Sequence, residues 1–213
     1  MTRHDTQADI IVIGGGIAGI SAAAELAVDA NVLVLEAEPR IGYHSTGRSA
    51  AIYIRNYGNA TLRAINALAE PWFIMPEGVS DHSLLSPRGE LLIAAEDELP
   101  AYEAYMDGTV GVERLTAAEL IAAALYEPGA QSIDVDRMLQ GYARLLKARG
   151  GRIVTDARAS ALRRDGVWHV TAGGQEYAAP VVINAAGAWA DHLADMGGVA
   201  RVGLQPLRRS AAM

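Results

Sequence analysis

The hydrophobic pattern is clearest near the amino terminus, where two short apolar runs enclose a stretch of small residues. Ile10–Ile13 and Val32–Leu35 have the length and the β-branched side chains of buried strands. The alanine-rich residues 17–28 between them predict a helix. This succession of strand, helix and strand predicts a βαβ unit at the start of an α/β fold.

The rest of the chain predicts helices that alternate with short strands. Helices are expected at 61–73 and 134–149, and the segment 96–127 is expected to be rich in helix. Strands are expected at 84–94 (a β-hairpin with its turn at 86–89), 152–155, 167–171 (paired with 175–178 as a second hairpin) and 181–184. Pro71 and Pro76 are expected to end the helix at 61–73. Thr116 and Glu119 have the spacing of a capping box, which would start a helix within the segment 96–127. Asp134 is the expected N-cap of the helix at 134–149.

A polar, glycine-containing segment at 39–58 interrupts this alternation, with one helical turn expected near 49–52. It is either a loop that runs alongside an extended cofactor or a mobile surface loop with solvated polar groups, and its composition favours neither. The first interpretation assigns polar contacts with a pyrophosphate or a ring edge to Ser45, Thr46, Arg48 and Ser49.

Three glycines in the first βαβ unit have the spacing of a ligand-binding turn. Gly14, Gly16 and Gly19 have the G-x-G-x-x-G spacing at the junction of strand and helix, and Glu36 follows the second strand. The first glycine permits a tight turn, the second lets backbone amides approach a pyrophosphate, and the third lets helix and strand pack closely. An acid about twenty residues further on accepts hydrogen bonds from a ribose. Together these features predict a dinucleotide site. A glycine-rich turn alone explains neither the spacing nor the acid.

Composition narrows the class of protein. With 213 residues, of which 51% are hydrophobic, the chain can bury a substantial core. A net charge of −7 without a basic cluster argues against nucleic-acid partners. The absence of cysteine fits a reducing compartment, so we expect a cytoplasmic protein. Glycines and Glu25 interrupt the apolar residues 10–28, which argues against an integral membrane segment.

Five segments, in order along the chain, resemble the FAD-dependent amine oxidoreductases of the D-amino-acid oxidase and glycine/sarcosine oxidase type, and among these the D-arginine dehydrogenases most. The segments are 14–19 with Glu36, 42–51, 84–90, 184–189 and 203–210. The resemblance implies a Rossmann-like FAD-binding domain, arranged as in p-hydroxybenzoate hydroxylase and interrupted by a partial α+β substrate domain. It divides the chain into 1–58 and 134–200 for FAD, 59–133 for substrate, and 201–213 as the start of a further substrate-domain sheet.

FAD is the cofactor that this resemblance implies. The matching cofactor positions are Gly14, Gly16, Ile17, Ala18, Gly19, Glu36, Ala37, Ser45, Thr46, Arg48, Ser49, Ala50, Ala51, Ala159, Ala186, Gly187 and Trp189. Ala159 matches a backbone contact to the adenine. The segment that contains Ala186 and Trp189 matches a turn near the pyrophosphate, and a small-residue turn at the carboxyl end of a strand is a usual ligand position. No metal is implied. One departure is Ile52, which stands where the family has a histidine near the flavin.

For the substrate, the resemblance implies three residues. Arg209 matches an arginine that binds the α-carboxylate of a D-amino acid, Tyr57 a tyrosine of the pocket, and Glu90 an acid that pairs with a cationic side chain. From the residues alone, Arg209 could equally be a solvated charge at a strand edge, and Glu90 a surface acid beside Arg88.

The implied reaction is oxidation of a D-amino acid, with a preference for D-Arg and D-Lys, to an imine that hydrolyses to a 2-oxo acid and ammonia. The electron acceptor, a quinone or oxygen, is left open. Two alternatives remain: an inactive FAD-binding fragment, because relatives extend beyond the position of Met213, and an amine oxidoreductase acting on glycine, sarcosine or proline.

Overall fold

The computed structural model describes residues 6–115 and 122–207. Its strands are β1 (Ile10–Ile13), β2 (Val32–Leu35), β3 (Ile52–Tyr53), β4 (Leu85–Pro87), β5 (Glu90–Ala94), β6 (Glu113–Leu115), β7 (Ala123–Glu127), β8 (Gln131–Ile133), β9 (Arg152–Val154), β10 (Ala159–Asp165), β11 (Val167–Ala172), β12 (Gln175–Ala179) and β13 (Val181–Asn184). Its α-helices are α1 (Ile17–Leu26), α2 (Ala60–Ile74), α3 (Leu99–Met106), α4 (Val135–Ala148) and α5 (Ala190–Met196). Short 3₁₀ turns occupy Thr46–Arg48, Glu96–Glu98 and Gly187–Trp189.

The described residues form two compact units. One contains residues 6–50 and 135–207, and the other contains 51–115 and 122–134. Each unit has hydrophobic clusters of its own. The second unit is therefore an insertion between two parts of the first.

The first unit is built on a parallel sheet with the strand order β13-β1-β2-β9. Alternate residues of β1 face opposite layers, as strand geometry requires. Ile11 and Ile13 pack in the cluster that includes Val170 and Tyr177 of the antiparallel sheet β10-β11-β12. Val12 packs in the cluster formed with α1 and α4. Both faces of the parallel sheet are therefore covered, which explains why β1 and β2 are almost continuously apolar.

These observations confirm the mixed α/β fold with a Rossmann-like parallel core. The strands predicted at Ile10–Ile13, Val32–Leu35 and 181–184 are present, as is the hairpin of β11 and β12. Helix α1 ends at Leu26, two residues before the predicted end. Strand β10 was not predicted, because its sequence, ASALRRD, has no run of apolar residues and its side chains are mostly exposed.

The predicted hairpin at 84–94 is wrong. Strand β4 pairs with β8, whereas β5 pairs with β7, in a different three-stranded sheet. The turn between them contains Gly89 with φ +78°, and its amide donates to the Ala130 carbonyl at 2.8 Å. The two apolar runs therefore pair with strands that lie further along the chain and not with each other. The local sequence does not show which strand each of them pairs with.

The segment 96–127, predicted to be rich in helix, contains α3, but the prediction is wrong beyond Met106, where β6 and β7 follow. Ala124 and Leu125 are fully buried at the centre of the sheet β5-β7-β6. A short buried run of this kind cannot be told from a buried helix by periodicity. The predicted capping box at Thr116 and Glu119 lies outside the described residues.

The helix predicted at 61–73 is confirmed as α2, within one residue at each end, although Pro71 lies inside it and does not end it. Its N-cap is Asn59, whose side chain accepts a hydrogen bond from the Leu62 amide. The helical turn expected near 49–52 lies earlier, at Thr46–Arg48, and Ile52 instead begins β3.

Candidate functional site

The carboxyl ends of β1, β2 and β13 meet at the glycine bend. Gly14 has φ +117°, and a Cβ atom there would lie 2.2 Å from the Ala185 carbonyl oxygen. A Cβ atom on Gly19 would lie 1.9 Å from the Gly14 carbonyl oxygen. Both glycines are therefore required by the packing of the protein itself, the first for its turn and the second for the close approach of α1 to β1.

Glu36 lies directly beside this bend and is only 7% exposed. One carboxylate oxygen accepts the Gly15 amide at 2.6 Å, and the other accepts the Glu38 amide at 2.9 Å. The two backbone donors hold the carboxylate in one orientation, and each oxygen keeps a further lone pair for another donor. The acid is thus a preorganised acceptor at the carboxyl edge of the sheet.

The first turn of α1 presents backbone N–H groups at the same edge. Gly16 is the N-cap and has no side chain with which to cap the helix. The Ile17 amide donates to the Thr46 hydroxyl at 3.0 Å, so the loop after β2 supplies part of the cap. Amides at the start of a helix, with the partial positive charge of its dipole, form an anion-binding position.

These features line one cavity of about 370 Å³ within the first unit. Twelve of the predicted cofactor positions line it: Gly14, Gly16, Ile17, Ala18, Glu36, Ala37, Ser45, Thr46, Ala159, Ala186, Gly187 and Trp189. The cavity thus runs from the acid of β2, past the glycine bend, to the small-residue turn after β13.

The remaining predicted cofactor positions do not line this cavity. Gly19 is buried behind the bend. Arg48, Ser49 and Ala50 are exposed, and the Arg48 guanidinium lies 5.2 Å from the centre of the Tyr43 ring. Ala51 falls in the second unit, where its φ is +53° and its carbonyl accepts the Ile133 amide.

Another wall of the cavity contains a charged cluster that the sequence did not predict. The His44 Nε2 atom lies 3.1 Å from Glu38 Oε1, and the Arg158 guanidinium donates to the same oxygen at 2.8 Å. The hydrogen bond from His44, followed by the contribution of Arg158, lowers the pKa of Glu38. The His44 ring also lies 4.6 Å from the Trp189 ring, measured between centroids. The only sequence signal was the closeness of Glu38 to Glu36.

Glu90 and Tyr57, the predicted substrate residues of the second unit, differ in their exposure. Glu90, at the start of β5, is half-buried, and burial and then the charge of Glu127 raise its pKa, partly offset by Arg88. Tyr57 is 51% exposed. Arg209, the third predicted residue, lies outside the described residues.

The first unit fits a dinucleotide cofactor. Gly16, Ile17 and Ala18, at the start of α1, line the cavity, and Glu36 offers fixed acceptor oxygens. These are the groups that a pyrophosphate and a ribose require. Fold and cavity together define a dinucleotide-binding α/β protein.

Comparison with protein families gives the particular class. The family described as FAD dependent oxidoreductase matches residues 9–213, and the chain belongs to it. FAD is the cofactor of this family, which confirms the cofactor predicted from the sequence.

Individual proteins resemble the chain in sequence or in fold. L-2-hydroxyglutarate dehydrogenase of Escherichia coli K12 is 29% identical over 222 residues, which cover 93% of this chain and 50% of that protein. Glycine oxidase from Geobacillus kaustophilus has a TM-score of 0.76 and 21% identity over 92% of this chain and 59% of that one. The FAD-bound L-alpha-glycerophosphate oxidase from Mycoplasma pneumoniae has a TM-score of 0.76 and 17% identity, over 90% of this chain and 57% of that one. The chain spans about half the length of the curated relatives it matches.

Residues 6–115 and 122–207 contain no group of three or more acidic, histidine or cysteine side chains arranged to hold a metal ion. Within the same ranges, no helix has both the length and the apolar character needed to cross a membrane.

Proposed function

We propose that this chain is part of an FAD-dependent oxidoreductase that oxidises D-amino acids with a cationic side chain to the 2-oxo acid and ammonia through an imine. The cavity beside the glycine bend, with Glu36 held by two backbone amides, carries the cofactor half of this proposal. The position of Glu90, directly opposite Glu127 in the pair of β5 and β7, supports the choice of a cationic substrate.

In this proposal, Glu36 accepts the ribose hydroxyls and the amides at the start of α1 face the pyrophosphate. Ala159 supplies a backbone contact to the adenine, and the turn that contains Ala186, Gly187 and Trp189 follows the chain between the phosphates and the flavin. The loop after β2 provides the flavin contacts, namely those of Ser45, Thr46, Arg48, Ser49, Ala50 and Ala51. When bound, FAD supplies the hydride acceptor for the substrate α-carbon.

The protein's own part is orientation and charge. Arg209 binds the α-carboxylate, for which a planar guanidinium with paired donors is suited. Tyr57 lines the pocket, and Glu90 pairs with the distal cation of the substrate. Fixing both ends of the substrate restricts it to the orientation needed for reaction at the α-carbon.

Oxidation of a 2-hydroxy acid is the second candidate. It is favoured by the 29% identity to L-2-hydroxyglutarate dehydrogenase. A dicarboxylate substrate would place a second negative charge in the site, and the charges of Glu90 and Glu127 oppose this. A glycine-, sarcosine- or proline-type amine substrate would need no acid at this position.

Cofactor binding is tested by titrating the purified chain with FAD and following flavin fluorescence and absorbance. We expect Glu36→Gln to weaken FAD binding by about tenfold or more, because a hydrogen bond to a charged acceptor contributes about 1.5–3 kcal/mol. Glu25→Gln is the matched control, since Glu25 lies at the opposite end of α1 with a largely exposed side chain. Equal affinity of both variants and the wild type would contradict the role of Glu36.

Substrate class is tested by anaerobic reduction of the FAD-loaded chain. We expect D-arginine to reduce the flavin faster than its neutral counterpart D-citrulline, and L-2-hydroxyglutarate not to reduce it. Reduction by the hydroxy acid alone would favour the second candidate. A chain that binds FAD and is reduced by none of these compounds would be the inactive fragment.

A further inference from the structure

Two acids face each other across neighbouring strands of the second unit. In the antiparallel pair of β5 and β7, Glu90 is directly opposite Glu127. Side chains at opposed positions lie on the same face of a sheet, with Cβ atoms about 4.5–5.5 Å apart. Like charges in this arrangement destabilise a sheet, so the pair costs stability unless something else compensates it.

Glu127 is unusual among the described residues. It is only 2% exposed, and its Oε2 atom is buried without a hydrogen-bond partner. Buried carboxylates in proteins are normally paired or hydrogen-bonded, because an unmet buried acceptor carries a full desolvation cost. An orphaned oxygen next to a second acid indicates an acceptor whose donor is not part of the described chain.

Tyrosine and arginine side chains lie near Glu90 and Glu127. Burial, then Glu127 and Glu90, raise the pKa of Tyr105 to about 12, with a smaller contribution from Tyr57 and an opposing one from Arg63. The Arg63 guanidinium donates to the carbonyls of Gly58, Tyr105 and Asp107, so its donors are directed at the backbone. Arg88 acts on Glu90 and partly offsets the charge of Glu127. Both acids act on Tyr105, which agrees with their opposed positions in β5 and β7.

We propose that Glu127 is a second specificity residue, and that it forms with Glu90 a two-carboxylate site for the guanidinium group of the substrate. This inference rests on the proposed function, since it assigns the same side-chain end of the substrate. A guanidinium carries five N–H donors in one plane, enough to reach an oxygen of each acid at once. Glu90, which is half-buried, receives the cation from solvent, and Glu127 supplies the inner acceptor.

A site built in this way is strained without its ligand. Removing the charge of Glu127 relieves the cross-strand repulsion, so the ligand-free chain should become equally or more stable. An acid with a purely structural role behaves in the opposite way, because its loss lowers stability. Ligand preference and stability therefore distinguish the two roles. If Glu127 binds the ligand, its loss lowers the preference for the cationic ligand and leaves stability unchanged or higher; if its role is structural, its loss lowers stability.

The test uses the FAD-loaded chain and two unreactive ligands. These are 5-guanidinopentanoate, which has no α-amino group to be oxidised, and its neutral counterpart 5-ureidopentanoate. Calorimetry gives the ratio of their dissociation constants, and urea unfolding gives stability. Because no turnover is measured, a chain that fails to oxidise D-arginine still reports on this site.

We expect the wild type to bind the cationic ligand at least about tenfold more tightly than the neutral one. Glu127→Gln should reduce this preference by about tenfold without loss of stability, which corresponds to one 1.4 kcal/mol step in binding. Glu90→Gln should do the same. Glu113→Gln, an exposed acid of β6 in the same sheet, is the matched control and should leave the preference unchanged.

Glu127→Met is the second variant, since it removes the polar atoms and nearly preserves the side-chain volume. An unchanged preference in either folded Glu127 variant overturns the proposal. So does a wild type without preference for the cationic ligand, or a fall in stability in both variants, which would make Glu127 a structural acid.

Discussion

Gly19 lies where α1 passes closest to β1, and a methyl group there would be 1.9 Å from the Gly14 carbonyl oxygen. The contact is with backbone, which a rotamer change cannot relieve. On helix propensity alone, alanine would be better than glycine at this position by about 1 kcal/mol. The steric conflict is the larger effect, and it is visible only in the folded chain.

We therefore expect Gly19→Ala to lower the free energy of unfolding by about 1–3 kcal/mol, the usual cost of overpacking. Urea denaturation measures this. Gly129→Ala is the control, because an added Cβ atom there meets nothing within 4 Å. Equal stability of the two variants would show that α1 and β1 can separate without cost.

Tyr105 gives a residue-scale prediction of pH dependence. Its pKa is raised to about 12, first by burial and then by Glu127 and Glu90. A group whose folded pKa lies above its unfolded value stabilises the fold below the ordinary value of 10, and this contribution is lost as the pH rises toward 12. Spectrophotometric titration of Tyr105→Phe should lack a tyrosinate step near pH 12 that the wild type shows. Persistence of that step in the variant would assign it to another tyrosine.

At the scale of elements, Glu38 connects two segments of the first unit. Glu38 follows β2, and it accepts hydrogen bonds from His44, in the loop after β2, and from Arg158, just before β10. The carboxylate thus joins the loop after β2 to Arg158, which lies 120 positions away in sequence, at the wall of the cavity. Sequence analysis did not find this cluster because its members show no common spacing.

The lowered pKa of Glu38 predicts how this connection responds to acid. A depressed pKa means that the contribution to stability is present above the ordinary value of 4.5 and is lost as the pH falls below it. The difference in urea midpoint between the wild type and Glu38→Gln should be largest near pH 7 and shrink at low pH. Arg158→Gln should show the same trend, and a difference that does not vary with pH would contradict it.

Pairing of strands is the other feature decided between elements. The apolar runs of β4 and β5 look like one hairpin in sequence, yet they lie in two sheets with β8 and β7 as partners. Hydrogen bonding along a strand is satisfied equally by any partner of suitable register. Local patterns therefore predict that a strand exists better than they predict its neighbour.

At the scale of the whole molecule, two units with separate hydrophobic clusters predict separate responses to core mutations. Leu125 is fully buried in the cluster of the second unit with Ala94 and Tyr102. We expect Leu125→Ala to cost about 2–5 kcal/mol, the usual range for such a truncation. Hydrogen exchange should then show lost protection in β5, β6 and β7 and retained protection in β1 and β2. An equal loss in both sets of strands would mean that the units unfold together.

The sequence by itself determined the first βαβ unit, its glycine bend, the acid after β2 and the class of cofactor. These features are local: strand, turn and helix follow from neighbouring residues, and the three glycines have a spacing that few other functions require. The family match agrees with this part of the reading.

Only the tertiary structure decided which residues share the wall of the cavity and which acids face each other. His44, Glu38 and Arg158 meet because parallel strands bring their carboxyl ends to one edge of the sheet. Glu127 meets Glu90 because β7, rather than β4, is the partner of β5. The contact of Glu38 with Arg158 and the pairing of Glu90 with Glu127 join residues more than thirty positions apart along the chain. They depend on strand order and register, which are set by the packing of the whole unit and not by any local stretch of sequence.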